Sequence, residues 1–134
     1  GEGGQLESIR NEYPEHEYLG WVNGNRVQEL YAQSKATLMT SQWYETASLV
    51  TLDSMAKGVA PIVADVTVAT DWFDEGVSGR SFRYDDPVAL AKVLEDFKDD
   101  AYADRLGRAA REKFMVDPPT MEKHLDQLEA LYKG

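Results

Sequence analysis

Short apolar runs and helical stripes take turns along this chain, and that alternation limits its possible folds more than any other feature. "KATLMTS" and "VAPIVAD" are apolar, too short for helices, and read as buried strands, with Pro61 near the start of the second. "RSFRY" reads as a last short strand, and "HEYLGWV" as an earlier one ending near Gly20. Between them come helical segments. "QLESIRNEY" is short, "NRVQELYAQS" carries Val27, Leu30 and Tyr31 on one stripe, and "SLVTLDSMAKG" is stopped by Gly58. After a short helix and turn in "DWFDEGVSG" the pattern is helical to the end. Leu90, Val93, Leu94 and Phe97 share a face, Tyr102, Leu106 and Ala109 continue it, and Met121, Leu125, Leu128 and Tyr132 form a last stripe. Pro118 and Pro119 separate the final two helices. Strands alternating with helices imply βαβ units, hence an α/β fold with a parallel sheet and flanking helices.

A chain of 134 residues suffices for one ordinary domain, and the expectation is a single domain over 1–134. The net charge of −10 argues against nucleic acid, whose binding is driven by Lys and Arg displacing counterions. With no cysteine, disulfides, thiolate metal sites and thiol catalysis are excluded. No apolar run approaches the roughly 18 residues that span a bilayer, and "GEGGQLESIR" lacks a signal-peptide pattern. A cytoplasmic setting is the default expectation.

In open parallel sheets, ligands bind beyond the carboxyl ends of the strands, where helices begin. "TLMTSQWYETASLV" runs from a strand end into a helix start, which places Glu45 just before the helix and Asp53 inside it. With the helix starting near Ser48, its first free N–H groups, from Ala47 to Val50, form an anion site suited to a diphosphate. Asp53 can accept hydrogen bonds from two neighbouring hydroxyls, as a ribose offers. The plain alternative is that Glu45 complements the helix dipole and Asp53 faces solvent; Glu-x7-Asp alone does not choose between them.

Other candidates carry less. His16 and His124 lack metal-ligand spacing and read as surface residues. "GEGG" resembles part of a phosphate loop, but no strand precedes it and no GxGxxG follows. "DWFDE" and "EDFKDD" read as solvated acidic faces, and Ser48 has no His nearby in sequence to make a nucleophilic triad.

The run "YLGWVNGNRVQELYAQSKATLMTSQWYETASLVTLDSMAKGVAPIVAD", then "DEGVSGRSF" and "DDPVALAKVLEDF", resembles the C-terminal domain of retaining glycosyltransferases of the large family 4. These enzymes have the two-domain B-type fold, so the resemblance implies a Rossmann-like sheet that binds a nucleotide-diphosphate sugar. It puts Glu45 in place of the catalytic-site glutamate beside the donor sugar, and Asp53 in place of the glutamate that holds the ribose. Thr46, Ala47, Ser48 and Leu49 would bind the donor, with the amides of Ala47, Ser48 and Leu49 near its diphosphate, and the backbone of Trp21 and Val22 would lie near the base. The implied reaction moves a hexose to an unknown acceptor with retained configuration and no obligatory metal or other cofactor.

This sequence departs from the pattern in three ways. Asp53 is one methylene shorter than the usual glutamate, and "VTVATD" replaces a Gly-Gly turn. The matching residues also begin where the domain's second strand would end, so the expectation is an N-terminally truncated domain that turns over no substrate alone. In that case the Tyr18 strand moves beside the Leu38 strand, or another chain supplies pairing. The functional alternatives are a donor-binding enzyme portion and a non-catalytic interaction module that keeps the fold. A receiver- or flavodoxin-like domain fits the alternation but leaves Trp-Tyr-Glu unexplained.

Overall fold

In the computed structural model, which describes residues 3–43 and 48–133, the chain divides into two compact units, 1–33 and 34–134. The first unit holds α1 (Leu6–Glu12) and α2 (Gly24–Gln33). The second holds β1 (Ala36–Met39), α3 (Leu49–Ala56), β2 (Ala60–Ala64), a 3-10 turn (Val68–Trp72), β3 (Arg80–Phe82), α4 (Pro87–Asp96), α5 (Asp100–Val116) and α6 (Met121–Lys133).

The strands form a parallel sheet in the order β1-β2-β3, with Leu38 opposite Ile62 and Val63 opposite Ser81. Every residue of the central strand β2 is buried, as expected of a parallel strand covered on both faces. Its side chains divide the core by their two-residue period. Ala60, Ile62 and Ala64 pack with Phe82, Val93, Phe97, Ala103 and Leu106 on the α4 side. Val63 packs with Met55, Ala69, Phe73 and Ala110 on the α3 side. Helix α5 thus serves both faces, with Ala110 rather than the expected Ala109 fully buried.

Local chemistry sets the helix ends. Gly58, at φ +75°, lets α3 close with a paired C-terminal motif in which Gly58 N donates to Met55 O (3.0 Å) and Val59 N to Ser54 O (2.9 Å). Asp86 caps α4 by accepting from Ala89 N at 2.9 Å, with Pro87 in the first turn, and Asp99 caps α5 through Ala101 N. Gly107 matters for a different reason. A Cβ there would sit 2.2 Å from the Gly58 carbonyl oxygen, so only glycine lets α5 lie against the backbone entering β2.

Two expectations need correction. Residues around Tyr18 form no strand: Gly20 has φ +64°, and the Tyr18 hydroxyl donates back to Tyr13 O at 2.8 Å while Arg10 stacks on its ring. A strand needs a partner for its N–H and C=O groups, and an alternating sequence does not supply one. The short helix after β2 starts earlier than "DWF", at Val68, and is of the 3-10 type. The "DWFDE" and "EDFKDD" carboxylates are exposed, as expected, and several are also paired. Glu75 accepts from Ser81 N (2.7 Å) and Arg80 Nε, Asp74 pairs with Lys113, and Asp96 binds Arg80.

Candidate functional site

The carboxyl ends of β1, β2 and β3 face a cavity of about 290 Å³ bordered by Thr40, Gln42, Ala64, Phe82, Tyr84 and Asp85. Asp65 ties this edge together, donating from its N to Phe82 O at 3.0 Å while its carboxylate accepts from Tyr84 N at 2.8 Å. Asp85 holds the left-handed conformation at φ +58°, which Asp tolerates better than bulkier residues, and Asp86 beside it caps α4.

On the other side of the same edge, α3 begins. Ser48 is its N-cap residue and is fully buried, yet its hydroxyl caps nothing. Instead Ser48 Oγ lies 2.8 Å from Thr51 Oγ1 and donates to the Met39 thioether at 3.0 Å, which Thr51 also approaches at 3.4 Å. This small knot fastens the start of α3 to the end of β1. Among the described residues the first amides of α3 then have no side-chain acceptor, and the first backbone bond of the helix runs from Leu52 N to Ser48 O. Uncapped N–H groups with the positive end of a helix dipole favour an anion.

Of the residues singled out in the sequence, Ser48, Leu49 and Asp53 come together here. Leu49 and Val50 are exposed, at 70% and 47%, and Asp53 lies one turn further along the same exposed face. No hydrogen bond or ion pair holds the Asp53 carboxylate among the described residues. The opposite face of α3, with Thr51, Leu52, Ser54 and Met55, is buried. Glu45, Thr46 and Ala47 lie outside the described residues. Trp21 and Val22 belong to the first unit, where Trp21 is 78% exposed and Val22 half-buried. His16 and His124 are both exposed. Among the described residues no group of three His, Asp or Glu is placed to hold a metal ion.

Sequence reasoning missed the Met39–Ser48–Thr51 knot and the Tyr84 cavity. Only the Asp-Asp-Pro helix start, at positions 85–87, signals the second. It missed Arg80 as well. Arg80 donates to Glu75, Asp96 and the Tyr102 hydroxyl, joining β3 to α4 and α5. Partial burial opposes its charge, but the hydrogen bonds to Tyr102, Asp96 and Glu75 outweigh that and hold its pKa above the usual guanidinium range.

A parallel α/β sheet with flanking helices defines the Rossmann-like class of folds, here in the form found in B-type glycosyltransferases. The chain belongs to the family described as glycosyl transferases group 1, whose profile matches residues 8–113. Solved structures similar to it are the sucrose-phosphate synthase of Thermosynechococcus elongatus (TM-score 0.80, 23% identity), TarM (0.80, 18%) and Anabaena HepE in complex with UDP and glucose (0.80, 16%). Each similarity covers nearly all of this chain, at 96%, 98% and 97%, but only 33%, 27% and 36% of those chains. This chain therefore spans about a third of their length. No curated protein matches it. Among the described residues, no helix is long and apolar enough to cross a membrane.

Proposed function

We propose that this chain is the donor-binding portion of a retaining hexosyltransferase and takes a nucleotide-diphosphate sugar at the start of α3. The observation that carries this reading is the uncapped helix N-terminus. The Ser48 hydroxyl turns inward to Thr51 and Met39, and no side chain among the described residues caps the leading amides of α3 at the carboxyl edge. In this reading the diphosphate sits on the amides of Ala47, Ser48 and Leu49, Asp53 accepts from the ribose hydroxyls, and Glu45 lies beside the sugar. As the bond from the sugar to the diphosphate breaks and the new bond to the acceptor oxygen forms on the same face, the acceptor proton passes to the departing phosphate oxygen, and amides and helix dipole stabilise the leaving charge. No metal is required. The UDP and glucose in the structure of HepE support a uridine nucleotide as the first donor to try.

The acceptor side is assigned to a further domain or partner chain, in keeping with the third of its structural relatives that this chain spans. A cytoplasmic location is part of the same proposal. One observation favours the second reading, an interaction module: α6 buries no residue, and Met121, Leu125 and Tyr132 are all more than half exposed.

Calorimetric titration with UDP, GDP, ADP and their hexose conjugates separates the two. Saturable binding that Asp53→Ala and Glu45→Ala weaken at least tenfold supports the donor reading. A folded chain that binds none of these ligands moves the interaction module ahead.

A further inference from the structure

A second and larger cavity, of about 550 Å³, opens on the buried side of α3, away from Leu49 and Asp53. Its volume falls within the roughly 300–1,000 Å³ typical of small-molecule sites. Leu52 and Met55 from α3, Phe114 from α5 and the indole of Trp72 supply apolar wall. Asp71, Asp74 and Asp117 bring three carboxylates to the lining, against one ammonium, that of Lys113.

Most of that charge is already matched. Lys113 donates to Asp74 at 2.7 Å, and Asp117 pairs with Lys123. Asp71 alone of the lining carboxylates has no ion pair among the described residues. Beside it stands the indole of Trp72. The wall therefore carries one unmatched carboxylate beside an aromatic side chain.

We propose that this cavity is a binding site for an amphipathic organic cation: an ammonium with an apolar, aromatic-sized body. A cation enters an apolar site only against a counter-charge, which Asp71 provides, and an indole face adds cation–π attraction. An anion would meet the excess of carboxylates and be repelled. Because this site lies on the far side of α3 from the proposed donor site, it stands whether or not a nucleotide binds.

The test uses the full chain carrying Trp21→Phe and Trp43→Phe. Both tryptophans are highly exposed, at 78% and 79%, so their replacement leaves Trp72 as the reporting fluorophore. Three related probes are titrated: phenylalaninamide (cationic), N-acetylphenylalaninamide (neutral) and N-acetylphenylalanine (anionic). Phenylalaninamide should shift Trp72 emission saturably, bind at least tenfold more tightly than the neutral probe, and lose that advantage in Asp71→Asn. The anionic probe should give no saturable change. Equal affinity for the cationic and neutral probes, unchanged affinity in Asp71→Asn, or no saturable signal from Trp72 would each overturn the proposal.

Discussion

At the amino end of the sheet, α5 lies against the strand entry so closely that Gly107 and Gly58 touch backbone to backbone, whereas the carboxyl end holds an open cavity and an uncapped helix. The first end leaves no room even for a methyl group. The second leaves helix-start amides to solvent, where a ligand can replace the water. Parallel sheets tend to divide their labour this way, with packing at one end and recognition at the other. In this chain the division can be followed along one helix: α3 ends in the closed motif at Gly58 and begins at the open edge beside Ser48.

Substitutions at the two ends should therefore differ in kind. The largest effect belongs to Gly107→Ala, whose methyl group cannot coexist with the Gly58 carbonyl. Denaturant unfolding should show a loss of about 3 kcal/mol, and a loss below about 1 kcal/mol would mean that α5 is not so tightly seated. Next is Arg80→Met, which strips Glu75, Asp96 and Tyr102 of their common donor and should cost about 2 kcal/mol by the same assay. Because the folded-state pKa of Arg80 is raised, its contribution is complete below the unfolded value and is lost only above the folded one. The Arg80→Met deficit should then be constant across the neutral range, and a deficit that varied there would implicate another group.

Ser48→Ala sharpens the comparison at the open end. It removes one hydroxyl from the knot with Thr51 and Met39, and thermal unfolding should register about 1 kcal/mol. Smallest of all should be Leu125→Glu on the exposed face of α6, within about 0.5 kcal/mol of the parent. A larger loss there would reveal that α6 is covered in solution.

The sequence made α3, β2 and the Gly58 stop legible because each is a local matter of period, length or backbone freedom. The Tyr18 strand was misread because alternation describes a strand's faces and says nothing about whether a neighbour is present to pair with it. The α6 stripe was legible as a stripe, but the sequence does not say what it packs against. Arg80 was invisible because its partners lie 5, 16 and 22 positions away, and nothing in the chain pattern links them. At the candidate site, Ser48, Leu49 and Asp53 were found through their place at a strand-to-helix junction. The inward turn of the Ser48 hydroxyl depends on Met39, nine residues earlier, and could not be read from spacing.

The central claim is that the start of α3 receives a diphosphate. Its most direct test is a backbone-amide NMR titration of this chain with UDP and, separately, with uridine. The account predicts that the amides of Leu49 and Val50 move strongly with UDP and hardly at all with uridine, while the residues around Asp53 respond to both. Shifts at Leu49 and Val50 that are absent with UDP, or equal for the two ligands, would contradict it.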